Sequence, residues 1–152
     1  MRLCHIAVVG SRYRTDESLV REWICRLNFE RHDFGIVAGN NRGPETWAVD
    51  AARRLGIPTL IVCPSLEDDM LQWEIAQAIL ERNRLIANDC DEMFAFVAPD
   101  RHGGTEQAIR FAFDLGKLVS IVHPGGHVQL LKPSWRPPIR LNRVRASREM
   151  EK

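Results

Sequence analysis

The sequence predicts a single doubly wound α/β domain built on a parallel sheet of about five strands. Three observations predict it. Short apolar runs alternate with amphipathic stretches along the first 122 residues of this 152-residue chain. Strand and helix follow one another through turns marked by glycine. The runs are apolar almost throughout, as strands covered on both faces are. The length suits one domain, and 45% apolar residues supply one core.

Residues 3–9 read as the first strand, ending at Gly10-Ser11-Arg12. Thr15 offers an N-cap, and Asp16 and Glu17 fall in a first turn, where the helix dipole favours acids. Leu19, Val20, Trp23, Ile24 and Leu27 then recur at helical spacing. Residues 34–38 read as the second strand, stopping at Gly39. A helix starts near Glu45; Pro44 suits its first position, where an N–H would have no partner. Gly56 is a natural C-cap for it. Residues 58–63 are the third strand, 71–88 a helix and 92–97 the fourth strand. Arg101-His102-Gly103-Gly104-Thr105 opens a helix over 106–115, closed by Gly116, and 118–122 is the fifth strand. Past His123, prolines 124, 133, 137 and 138 with Gly125 and Gly126 break any long element. Residues 1–123 are thus expected to form the domain, and 124–152 an extended or partly disordered arm.

The net charge is +1, but it is unevenly spread. Residues 132–152 carry seven Lys or Arg against two Glu, so a mildly acidic body bears a basic tail. That tail can contact nucleic-acid phosphates; the plainer reading is a solvated arm, or one that wraps a partner subunit. Its one aromatic is Trp135. The four cysteines make no Cys-x-x-Cys pair, and Cys4 and Cys63, in strand-like runs, read as small buried residues of a reducing compartment. The five histidines lack ligand spacing, so no metal is expected. With no signal-like segment and no apolar run near 18 residues, the expectation is a cytoplasmic protein without membrane contact.

Ligands of an open parallel sheet sit beyond the carboxyl ends of its strands. Three segments collect there: Gly10-Ser11-Arg12, residues 39–45, and Gly103-Gly104-Thr105. Each joins a strand to a helix N-terminus, where unpaired N–H groups and partial positive charge attract phosphate. Glycine lets an anion approach the backbone. Ser11 and Thr105 add hydroxyls; Arg12, Arg42 and Arg82 add forked cationic donors. There is no Gly-x-Gly-x-x-Gly after the first strand and no Walker lysine.

Gly-Ser-Arg-x-x-Thr-Asp at 10–16 resembles the opening motif of the YspA-like family of the SLOG superfamily. Gly39-x-x-Arg42-Gly43-x-Glu45, Arg82-Asn83-Arg84 and Gly103-Gly104-Thr105 resemble three further motifs of that family, in order, over about residues 4–122. The resemblance implies a Rossmann-like domain that binds a nucleotide, and it implies a homodimer. Two related branches suggest other activities. Lonely Guy proteins are nucleoside 5'-monophosphate phosphoribohydrolases that use an Arg and a Glu. Glu81-Arg82 fits the Arg position, but Ala108 stands where their Glu is expected. DNA-processing protein A binds single-stranded DNA, and its Arg-Asn-Arg-Ile-Ile stretch is similar to Arg82-Asn83-Arg84-Leu85-Ile86.

Several residues admit two readings. Arg82 reaches a phosphate or pairs in solvent with Glu81 or Asp89; Asn83 bonds a base or ribose, or caps a loop. Glu45 accepts a ribose hydroxyl or is a first-turn acid, and Glu106 is a displaced general base or another such acid. Trp47 and Trp73 stack on a base or pack in the core, and His102 donates to phosphate or is merely solvated. The expected ligand set is Gly10, Ser11, Arg12, Gly39, Arg42, Gly43, Arg82, Asn83, Gly103, Gly104 and Thr105, with Glu45 and Glu106 as candidate catalytic acids. The expected function is binding of a nucleotide or nucleotide-derived phosphate, with no other cofactor. Phosphoribohydrolysis and single-stranded DNA binding are the alternatives.

Overall fold

A computed structural model describes residues 3–132. Its elements are β1 (Cys4–Gly10), α1 (Glu17–Glu30), β2 (Phe34–Ala38), α2 (Pro44–Arg54), β3 (Thr59–Ile61), α3 (Gln72–Asp89), β4 (Glu92–Phe96), α4 (Gly104–Asp114), β5 (Leu118–Val122) and β6 (Val128–Leu131). They form one sheet in the order β3-β2-β1-β4-β5-β6. Five strands are parallel and β6 runs antiparallel to β5. This is the strand order of a Rossmann-like doubly wound sheet.

The pleat explains the two cores. Successive side chains of a strand face opposite sides, so β1 sends Ile6 and Val8 one way and Ala7 and Val9 the other. The first pair packs with Val20, Ile24 and Leu27 of α1 and Ala48, Val49 and Ala52 of α2. The second packs with Ile86 and Ala87 of α3 and Ala108, Ile109 and Ala112 of α4. Helices therefore cover both faces, which is why the strands carry no polar alternation. Trp23 closes the first core edge-on against Phe94, with ring centroids 5.3 Å apart.

Four local expectations change. The sheet has a sixth strand. Pro124 and Gly125 form a turn closed by the Gly126 N–H on the His123 carbonyl, 3.0 Å, and β6 returns along β5. The break expected at these residues is a hairpin turn. Thr15 does not cap α1: the N-cap is Asp16, whose carboxylate is taken by the Arg14 guanidinium instead of helix amides. Cys63 is exposed, because β3 ends two residues before it, and Cys4 is half-buried. Cys90 is the buried thiol, and burial pushes its pKa up to about 11. Finally, Trp73 is 65% exposed, since the buried residues of α3 all lie in its second half, whereas Trp47 packs against the first core. The basic tail past residue 132 lies outside the described residues.

Candidate functional site

Strand order reverses between β1 and β4, and this leaves a crevice beyond their carboxyl ends. A cleft of about 320 Å³ opens there. The loop after β1 contributes Gly10, Ser11, Arg12 and Tyr13; the loop after β2 contributes Asn41. Ile79 and Arg82 come from α3, and Asp100, His102, Gly103, Gly104 and Thr105 from the approach to α4. Below the cleft lies a cavity of about 10 Å³, lined by Asn41, Glu45, Asn83 and Thr105 with Val9, Gly10, Gly104 and Ala108.

The glycines serve two different purposes. Gly103 is the N-cap of α4 with φ 93° and ψ −155°, a backbone state essentially reserved for glycine. It delivers the first amides of α4 to the cleft. Gly10 makes internal room instead: a Cβ there would lie 2.6 Å from the Pro44 Cβ. Gly39 does the same for Arg82, whose Nη1 would be 2.6 Å from an added Cβ. Gly43, with φ 99°, packs against the backbone of Ser11 and Arg12.

Arg82 and Asn83 are buried, although both lie on a helix. The Arg82 Nε donates to the Asn83 Oδ1 at 2.9 Å, and Nη1 donates to the Asn40 Oδ1 at 3.2 Å. Asn83 in turn donates to the Gln107 Oε1 at 3.2 Å and the Gly104 carbonyl at 3.4 Å, which ties α3 to the start of α4. Among the described residues the Arg82 Nη2 donates to nothing and its guanidinium forms no ion pair.

Glu45 is 3% exposed. Burial pushes its carboxyl up to about 7, against the pull of the Arg82 charge, the Gly39 amide and Asn41. Its Oε2 has no hydrogen-bond partner among the described residues.

The rest of the expected set divides. Gly10, Ser11, Arg12, Arg82, Gly103, Gly104 and Thr105 line the cleft, and Glu45 and Asn83 its floor cavity. Gly39, Arg42, Gly43 and Glu106 line neither. Arg42 is exposed. Glu106 is held by Arg101 through bonds of 2.8 and 2.9 Å. His102 pairs with Asp100 at 2.8 Å.

Sequence reasoning missed Tyr13, Asn41 and Arg14. Tyr13 is 68% exposed at the mouth, and Arg12 lies over its ring and donates to its hydroxyl at 3.1 Å. An aromatic directly after Gly-Ser-Arg was the available signal. Arg14 is buried and donates to the carbonyls of Val97 and Val122, at 3.0 and 2.7 Å, where β4 and β5 end. Nothing in the sequence around it marks it as buried.

Fold and site together define a class: a Rossmann-like α/β domain with a polar, glycine-edged cleft at the switch point of its sheet. No protein-family model matches the chain, and no curated protein matches its sequence. Solved structures do match. DNA processing protein A from Streptococcus pneumoniae aligns with a TM-score of 0.63 and 20% identity, over 78% of this chain and 50% of that one. DNA processing protein A from Helicobacter pylori, described with a single-stranded DNA binding mode, aligns with a TM-score of 0.61 and 16% identity, over 79% and 65%. The likeness is one of fold, and the chain spans half to just under two thirds of those proteins. Among the described residues no helix is long and apolar enough to cross a membrane.

Proposed function

We propose that the cleft binds a nucleotide or nucleotide-derived phosphate, in a sensing or processing role. The observation that carries this reading is Arg82. A buried guanidinium without an ion pair costs several kcal/mol unless a charge or strong acceptor meets it. Its position is fixed by Asn40 and Asn83, one nitrogen is left over, and the first residues of α4 line the same cleft. A phosphate placed there gains both the fork of Arg82 and the helix amides. The cleft volume matches the lower range for small-molecule sites. A YspA-like placement, a homodimer and a cytoplasmic location belong to the same proposal.

Calorimetric titration with mono-, di- and cyclic nucleotides tests it. We expect saturable binding by at least one of them and a loss of tenfold or more in Arg82→Met, with the fold checked by circular dichroism. A folded wild-type protein that binds none of them overturns the reading.

A second reading is single-stranded nucleic acid in the same cleft. The fold shared with the Helicobacter pylori protein supports it, as does exposed Tyr13 beside Arg12, an aromatic on which a base can stack. Oligonucleotide affinity should then fall steeply with salt.

A further inference from the structure

We propose that the cavity beneath the cleft is a hydroxyl receptor built on Glu45, which makes the preferred ligand a ribose phosphate rather than a deoxyribose phosphate. This rests on the nucleotide reading and refines it. The starting point is the Glu45 Oε2, which is buried and unpartnered. A buried carboxyl oxygen left without a hydrogen bond is costly, and native structures rarely keep one without a use.

The adjoining space decides what can meet it. About 10 Å³ holds one water-sized group and no more. A base ring or a phosphate does not fit. A phosphate would also be repelled by the carboxylate. The walls offer further polar atoms from Asn41, Asn83 and Thr105, so a small polar group is received on several sides. A hydroxyl suits Glu45 in either protonation state, because it donates to a carboxylate and accepts from a carboxylic acid. An ammonium suits only the charged form. The cavity also shares Gly10, Asn41, Gly104 and Thr105 with the cleft above. A ligand seated in the cleft, within reach of Arg82 and α4, can therefore place one hydroxyl in it, where a single water would otherwise fit.

The test titrates the wild-type protein with the four common nucleoside 5'-monophosphates and their 2'-deoxy and 3'-deoxy counterparts. At least one deoxy series should bind about ten- to a hundredfold more weakly, the range for a hydrogen bond to a charged or strongly polar group. Glu45→Met, similar in size but without an acceptor, should abolish the discrimination, so that ribonucleotide and deoxynucleotide bind with equal affinity. If that variant does not fold, the wild-type comparison still decides. Equal affinities for all three sugars overturn the hydroxyl receptor while the nucleotide reading stands. Discrimination that survives in a folded Glu45→Met protein removes Glu45 from it. Binding of no sugar form at all overturns the nucleotide reading itself.

Discussion

Glu45 and Arg82 both approach Gly39 without forming an ion pair, and their burial sets the chemistry of the floor. The carboxyl is raised from 4.5 to about 7, chiefly by desolvation. A group whose folded pKa lies above its unfolded value holds its proton longer in the native state. The stability that goes with it is complete below about 4.5 and is lost as pH rises through 7. The loss is on the order of 3 kcal/mol at 1.36 kcal/mol per unit. Asp16 and Asp50 are shifted downward by their arginine partners, so they act in the opposite sense and only in acid, around and below the ordinary carboxylate range. The two windows do not overlap. Urea unfolding at pH 5 and pH 8 should therefore show Glu45→Gln gaining on the wild type at the higher pH; an equal difference at both would deny the burial of this charge. Arg82 and Asn83 were legible because Arg82-Asn83-Arg84 resembles an Arg-Asn-Arg motif and a guanidinium is a forked donor for phosphate. Arg14 was not, since a loop arginine has the same sequence signature whether it is solvated or, as here, bonded to the ends of β4 and β5.

The helix-opening glycines show what an element needs at its start. Gly103 has open space where a Cβ would be, so its replacement meets no atom, only its own backbone. Gly39 is the reverse case: its backbone is ordinary, but a Cβ would push on Arg82. Gly103→Ala should cost about 1–3 kcal/mol in urea unfolding, the range for a residue held in a glycine-only conformation. Gly39→Ala should instead weaken binding of the tightest nucleotide found in the titration panel more than it lowers stability, because a guanidinium can swing away where a backbone cannot. Equal losses in both measurements for both variants would erase the distinction between a cap and a seat. Element type was readable from period and punctuation: β2 and β5 fall where the apolar runs place them. Element ends were less so. Thr15 looks like a cap by composition, but Arg14 claims the neighbouring Asp16, and a backbone carbonyl 83 residues away, that of Val97, decides where Arg14 goes. The sixth strand was missed because Val128–Leu131 is four residues long, partly exposed and preceded by two glycines, which is also how a loop reads.

At the scale of the molecule, the order β3-β2-β1-β4-β5-β6 turns local sequence into a site. Gly10 and Gly103 are 93 positions apart in the chain, yet both line one crevice because β1 and β4 are neighbours and their helices leave on opposite faces. The motif order along the sequence was readable, but the crevice depends on strand adjacency, which no single motif encodes. The same adjacency makes the site a meeting of both layers: Arg82 and Asn83 stand on α3, Glu45 on α2, and the amides on α4. A ligand that bridges them must stabilise the whole domain, not one loop. At a concentration one hundred times its Kd, such a ligand adds about 2.7 kcal/mol. For a chain of this size that is roughly 5–10 °C in Tm. Arg82→Met should lose most of the shift. A thermal melt with the tightest nucleotide found should show a rise of that size, and the rise should scale with the logarithm of ligand concentration. A ligand that binds by calorimetry yet leaves the melt unmoved would have to bind native and unfolded chains alike, and so would lie outside the cleft.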